Sequence, residues 1–254
     1  MLTTKPTLLL TSSIVVSAPY VAISDPSHRV KLTLDSIKQW LEIAGDLNIV
    51  ICDGSGYDLT QEVSAYFPLA KIECIHFQND NELVSMYGKG YGEGEIIKYA
   101  LEHSVYLKQA DYFIKCTSKL WVKNFPEIMR RWNNQFQCQF GLEKPKSFRR
   151  AIPHIIDTRF YIINKNYYSK YFIDTYKKVR DHEGYYLENS FRDVVLNAKL
   201  KASSILFTTH PQIEGVAGTS GETYRSISPM TGRFKNLKTH LRLKLYERFF
   251  KPSL

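Results

Sequence analysis

Leu47-Asn48-Ile49-Val50-Ile51-Cys52-Asp53-Gly54-Ser55-Gly56 is a compact apolar run stopped abruptly by a carboxylate and turn-forming residues. Such a run reads as a short buried strand that ends in a tight turn. Before it, Val30, Leu34, Ile37 and Leu41 recur at helical spacing. Earlier still, the β-branched stretch Ser13 to Ser17 reads as a first strand, with Pro19 and Pro26 keeping the following chain out of helix until about Val30. After it come a helix near Leu59 to Tyr66, a strand over Lys71 to Phe77, a helix from about Glu93 to Glu102, and a strand at Tyr112-Phe113-Ile114-Lys115-Cys116. Strands alternating with helices of this length predict an α/β fold, with a mainly parallel central sheet flanked by helices and joined by right-handed crossovers. Ligands of such sheets sit outside the carboxyl ends of the strands.

Beyond Asn124 the alternation loosens. The pattern predicts a helix near Pro126 to Asn133, an extended segment at Gln135 to Phe140, a strand over Ile155 to Ile163, and helices over Lys165 to Val179 and Leu187 to Leu200. The expected organisation is a nucleotide-sugar-binding half at 1–124, an acceptor-binding and catalytic half of the same domain at 125–230, and a basic amphipathic C-terminal helix at 231–254.

With 254 residues, 44% of them hydrophobic and 23% charged, the chain can bury a full core. Its four cysteines, Cys52, Cys74, Cys116 and Cys138, form no CxxC pair and have no His at ligand spacing, which argues against a structural zinc. Three of them sit in or beside apolar β-like runs, where a free thiol acts as a small hydrophobe, and that points to a reducing compartment. Lys5 before Leu8-Leu9-Leu10 has the outline of an export signal, but Ser12 and Ser13 interrupt it, and Ile14-Val15-Val16 reads better as strand. No segment approaches the roughly 18 apolar residues of a membrane span. The expected location is cytoplasmic, on the inner face of the membrane if peripheral.

The formal charge is +9, and the tail from Thr231 holds seven basic residues against one acidic. There Phe234, Leu237, Leu241, Leu245 and Phe249 interleave with the basic residues at spacings of three and four. This is either a basic amphipathic helix for an anionic membrane surface or a helix packed on the domain with a solvated basic face. A nucleic-acid-binding protein is the rival that the charge suggests, with a nucleotide-sensing module as a third reading. Confinement of the excess charge to one tail and the lack of an RNP-like or helix-turn-helix pattern argue against nucleic acid as a partner.

Gly88-Lys89-Gly90-Tyr91-Gly92-Glu93-Gly94-Glu95 precedes a helix, and its alternate glycines would let the backbone and the helix N–H groups approach an anion. The plainer reading is a flexible turn. The strand at Tyr112 to Cys116 ends in Thr117-Ser118-Lys119, where Lys115 and Lys119 could neutralise phosphate without the metal that an aspartate pair would recruit. Either lysine could equally be solvated.

In that order of elements, with Ile51-Cys52-Asp53-Gly54, the glycine segment and Lys115-Cys116-Thr117-Ser118-Lys119, the first half resembles a GT-A glycosyltransferase. It is similar in particular to small transferases of bacterial capsule and lipopolysaccharide biosynthesis. The resemblance implies a nucleotide-sugar donor, a glycan or lipid-linked glycan acceptor, and Asp53 at the nucleoside. It implies Gly90, Glu95, Lys115, Ser118, Lys119, His210, Gly218 and Ser220 on the donor side. The family's Asp-x-Asp metal motif has no match in Thr117-Ser118-Lys119, so no metal ligand is assigned and Mg²⁺ or Mn²⁺ stays optional.

Asp157-Thr158-Arg159-Phe160-Tyr161, which follows Arg149, Arg150 and His154, resembles the acceptor-side strand of such transferases. Inverting transfer needs a carboxylate base on the acceptor hydroxyl. Glu188, among Tyr185 and Tyr186 near a helix start, is the first candidate and Asp157 the second; Tyr186 offers an apolar ring to a sugar. Glu188 could instead be a first-turn glutamate paired with Arg192. The stretch His210 to Gly221 reads as a late loop able to close over the donor and exclude water.

Overall fold

The structure, a computed structural model, describes residues 6–16, 21–132, 136–142, 155–198 and 205–249. Its central sheet has six strands. Strands β1 (Thr7–Ser12), β2 (Ile49–Asp53), β3 (Ile72–His76) and β4 (Tyr112–Thr117) run parallel. Strands β6 (Cys138–Leu142) and β7 (Ile156–Asn164) run antiparallel to their neighbours, and the order is β3-β2-β1-β4-β7-β6. Strand β5 (Leu120–Val122) leaves this sheet to pair with β8 (Ile213–Val216), which pairs with β9 (Thr223–Tyr224). The chain lays β2 and β3 on one side of β1 and β4 on the other, so the topology reverses between β1 and β4. A crevice opens at the carboxyl ends of the strands there.

Helices cover both faces, which is why β1 and β2 are buried along their whole length and read as continuous apolar runs. Leu8, Leu10, Ile49 and Ile51 point to the side of helix α1 (Pro26–Ala44), where they join Leu34, Ile37 and Trp40. Leu9, Val50 and Cys52, one residue out of phase, point to the side of helix α4 (Lys89–His103) and meet Ile96, Ile97 and Ala100. Trp40 Nε1 and Ser36 Oγ both donate to the Leu120 carbonyl, at 3.0 and 2.8 Å, which ties α1 to the start of β5. The remaining helices are α2 (Thr60–Tyr66), α3 (Asn81–Tyr87), α5 (Val105–Gln109), α6 (Phe125–Arg131), α7 (Lys165–Tyr171), α8 (Leu187–Asn197) and α9 (Pro229–Phe249).

Several sequence expectations are corrected. The first strand is Thr7–Ser12, with Leu8-Leu9-Leu10 fully buried, whereas Val15 is 49% exposed. Pro26 opens α1 instead of delaying it: the first helical N–H has no intrahelical acceptor, so proline loses nothing there, and the Asp25 carboxylate caps His28 N at 2.7 Å. The glycine segment is the first two turns of α4 rather than a loop before it. Its glycines admit neighbours. A Cβ on Gly94 would lie 2.0 Å from Tyr176 Cβ, and one on Gly90 3.1 Å from Leu187 Cβ. The expected helix over Lys165 to Val179 is α7 followed by a 3₁₀ turn at Thr175–Lys178.

Candidate functional site

The crevice at the strand ends is a cavity of about 520 Å³. Its walls come from the ends of β1 and β4, the start of α1, the first turns of α4 and α8, and the segment after β8.

One wall is cationic. Arg29, on the first turn of α1, is buried, and its guanidinium is held by main-chain carbonyls: Nε donates to Ser13 O at 2.7 Å and Nη1 to Ile23 O at 2.8 Å. Burial lowers its pKa against the partial support of nearby Asp53. Lys119, just past β4, is 3% exposed and has no carboxylate within ion-pair distance among the described residues. Burial first, and then the Arg29 charge, pull its pKa down to about 7. Gly218 packs on both cations: a Cβ there would come within 2.7 Å of Lys119 Cε and 3.1 Å of Arg29 Nη1. The Gly218 segment is fixed in turn, because Ala22 N and Ile23 N donate to Thr219 O and Gly218 O at 2.9 and 3.3 Å.

The opposite wall is acidic. Glu93 on α4 pairs with Lys115, whose fully buried ammonium also donates to Thr158 O at 2.8 Å and Thr117 Oγ1 at 3.2 Å. Glu188, at the start of α8, accepts from Thr158 Oγ1 at 2.9 Å. Burial, then the Glu93 and Asp157 charges, raise its pKa above the usual carboxylate range. Asp181 caps α4, accepting from Lys89 N at 3.0 Å, and burial raises its pKa as well. The helix N–H groups expected to meet an anion are therefore already taken by a carboxylate.

Of the residues singled out from sequence, Gly90, Lys119, Arg159, Tyr186, Glu188, Gly218 and Ser220 border the cavity. Others lie elsewhere, for identifiable reasons. Asp53 is 1% exposed and its carboxylate is spent on the segments that leave the ends of β1 and β2, accepting from Ile14 N, Ser55 N and Oγ, and Tyr57 N at 2.6–3.2 Å. Lys115 lies beneath the acidic wall, and Ser118 is buried, its N–H on Thr11 O. Glu95 faces away from the crevice toward Asp80 at the start of α3, and its carboxyl pKa is raised by burial. Asp157 is locked to Arg159, which grips it with Nε and Nη2 at 2.9 and 2.6 Å. His210 borders a different cavity, and burial, then Lys235, lower its pKa to about 4. The stretch from His210 to Gly221 is in part strand β8, pinned to β5. Arg192 pairs with Asp193 rather than with Glu188. Arg149, Arg150 and His154 lie outside the described residues.

Sequence reasoning missed Arg29, Glu93, Asp181 and the amides Gln78, Asn79 and Asn81, which line the crevice beyond β3. Glu93 stood inside a quoted motif, and the Gln-Asn-Asp-Asn run after a strand was a strand-end signal. Arg29 gave none.

The resemblance raises the question of a divalent cation at Thr117-Ser118-Lys119. The donor set does not fit one: two hydroxyl residues and an ammonium stand where carboxylates would be needed, with Arg29 beside them. Among the described residues no group of three His, Cys, Asp or Glu side chains is placed to hold a metal ion.

No protein-family model matches the chain, and no curated protein matches it. Solved structures do. The mannosyltransferase Ktr4p from S. cerevisiae in complex with GDP superposes with a TM-score of 0.53 at 10% identity, over 98% of this chain and 83% of that one. The inositol-1-phosphate CTP transferase from T. maritima gives 0.50 at 10% identity, over 94% and 96%. The WbbM bifunctional glycosyltransferase gives 0.50 at 9% identity, over 92% of this chain and 44% of that one. The fold is GT-A-like. At these identities the likeness establishes architecture, and the GT-A-like sheet places the crevice between β1 and β4.

Proposed function

We propose that the protein is a glycosyltransferase that moves a sugar from a nucleotide-sugar donor to a lipid-linked bacterial surface glycan of the capsule or lipopolysaccharide type. One observation carries the reading: a single crevice sets two buried cations, neither with a carboxylate within ion-pair distance among the described residues, opposite a carboxylate held by a threonine hydroxyl. The fold neighbours, among them a mannosyltransferase with bound GDP, support the donor class.

In this reading the donor diphosphate lies against Arg29, Lys119 and the Gly218 backbone, and the nucleoside extends toward Ser55 and the amides after β3. In a direct displacement the bond from the anomeric carbon to the diphosphate oxygen breaks, and its electrons go to the phosphate. The two cations stabilise that charge in a site of low dielectric. The acceptor hydroxyl oxygen bonds the anomeric carbon and its proton passes to Glu188, whose raised pKa makes it a stronger base than an ordinary carboxylate. Residues 1–124 supply most of the donor side, residues 125–230 the acceptor side, and α9 the membrane contact. No described helix is long and apolar enough to cross a membrane. The enzyme works on the cytoplasmic face, with α9 lying on the bilayer surface.

A thermal-shift screen of UDP-, GDP-, CMP- and TDP-sugars, with and without Mn²⁺, followed by a transfer assay with the stabilising donor, tests the proposal. Stabilisation without metal is expected. If no nucleotide sugar protects the protein under either condition, the reading is wrong.

A further inference from the structure

Helix α9 packs against the domain with the wrong face for an ordinary amphipathic helix. Its buried residues are Gly232, Asn236, Thr239 and Leu243, and the Asn236 amide is spent on the carbonyls of Phe207 and Thr208, both at 2.8 Å. The apolar row points outward: Met230, Phe234, Leu237, Leu241 and Leu245 are 42–70% exposed. A row of five large apolar side chains left in water costs free energy unless something covers it. Lys235, Lys238 and Lys244 flank it, so the cover that matches in charge is an anionic bilayer surface.

Beside that row lies a second cavity, of about 410 Å³, between α6, α9 and the segment Thr208 to Gln212. Arg131 from α6 and Arg233 from α9 line it, and Arg130 joins both in the adjoining recess. The acid here is Glu127, 3.8 Å from Arg131; Arg130 and Arg233 have no carboxylate within ion-pair distance among the described residues. Two arginines at the end of α6 would serve the helix dipole alone, but the dipole does not explain a third brought in from another helix. Like charges gathered around a cavity repel unless an anion enters. Thr209 Oγ1, buried at the same cavity, lacks a hydrogen-bond partner among the described residues, and burial, then Lys235, lower the His210 pKa to about 4. Leu237 belongs to both the cavity and the apolar row, so a molecule with its acyl part along α9 has its headgroup at the arginines.

We propose that the cavity between α6 and α9 is a second binding site, which takes the phosphate of a membrane lipid headgroup while the apolar row of α9 lies in the leaflet. The proposal rests on the membrane reading of α9 given above. Arginine suits the task, since its planar fork binds phosphate oxygens in pairs.

The test uses the full chain and vesicles of phosphatidylcholine, alone or with 30 mol% phosphatidic acid as a chosen probe concentration of roughly the anionic strength of an inner leaflet. The wild type is expected to co-sediment with the anionic vesicles. Lys238→Gln with Lys244→Gln, a loss of two surface charges away from the cavity, should weaken that binding about 30-fold, while Arg131→Gln with Arg233→Gln, the same loss of charge plus the hydrogen bonds to phosphate, weakens it by about 10³-fold. Glycerol 3-phosphate should raise the Tm of the wild type and of Leu241→Asp with Leu245→Asp, but not of the arginine variant. Equal weakening by the two charge-loss variants overturns the site. Stabilisation by glycerol 3-phosphate without any preference for phosphatidic acid vesicles overturns the lipid source, leaving a free-phosphate site. Undiminished vesicle binding by the Leu241→Asp, Leu245→Asp protein sinks the membrane reading of α9 itself, and none of these outcomes touches donor binding in the main crevice.

Discussion

On the cationic wall of the crevice Arg29 is held by the backbone, whereas the acidic wall is held by side chains. Arg29 is fixed by two main-chain carbonyls and Lys119 is buried against Gly218, and among the described residues neither has a carboxylate within ion-pair distance. Across the cavity, Glu93 is neutralised by Lys115, and Glu188 is held by a neutral hydroxyl. Positive charge that the protein leaves unbalanced is available to a ligand, while the negative charge has been sorted. Glu93 is tied to Lys115, and burial together with the Glu93 charge helps Glu188 keep a proton to higher pH. One wall is built to bind an anion and the other to take a proton.

The hardest way to break this division is to remove the proton acceptor. Glu188→Gln is nearly isosteric and can still accept from Thr158, so folding and donor Kd should hold while kcat falls about 10²- to 10⁴-fold. An equal loss in Kd and kcat would show that Glu188 serves binding instead. On the facing wall, Lys119→Gln should raise the donor Kd about 10- to 100-fold, the range for a charge-assisted phosphate contact, with a smaller change in kcat. Calorimetry with the donor nucleotide separates the two walls.

A pH series sharpens the comparison without a mutation. With a pKa near 7, Lys119 is largely charged at pH 6 and largely neutral at pH 8 in the empty protein. A diphosphate favours the charged form and so raises that pKa, which means binding takes up a proton. Donor Kd should be flat below pH 7 and rise by up to about tenfold per unit above it. Lys119→Arg, which does not titrate in this range, should flatten the profile.

These walls were unequally legible in the sequence. The alternation around Leu47 to Cys52 placed the sheet, because strands buried on both faces carry a strong local signal. Lys119 followed from its position after β4. Arg29 did not, since its place depends on carbonyls at Ser13 and Ile23 that only the folded chain brings near. The glycines at 88–94 misled for a related reason. Glycine inside a helix costs about 1 kcal/mol against alanine, so local preference argued for a loop, and the compensating contacts with Leu187 and Tyr176 are far off in sequence. Asp53 looked like a ligand contact and is a turn anchor, as an aspartate before Gly-Ser can be when its oxygens find nearby N–H groups. The choice between Leu8-Leu9-Leu10 and Ile14-Val15-Val16 as first strand could not be made locally. Pairing with both β2 and β4 decided it.

The glycine at 218 offers the finest test of how the cationic wall is set. A Cβ at Gly94 would strike Tyr176 at its own Cβ, a collision that must move a helix, but a Cβ at Gly218 meets the ends of two long side chains. Gly218→Ala should therefore leave the Tm within about 2 °C, displace Lys119 Nζ and Arg29 Nη1 slightly, and cost about 1 kcal/mol of donor binding, roughly fivefold in Kd. Because the displaced groups are cations, the loss should be confined to the charged part of the ligand: affinity for the nucleoside diphosphate falls and that for the bare nucleoside does not. Parallel losses for both would mean that Gly218 shapes the crevice as a whole, and that the cationic wall does not depend on the close approach of its backbone.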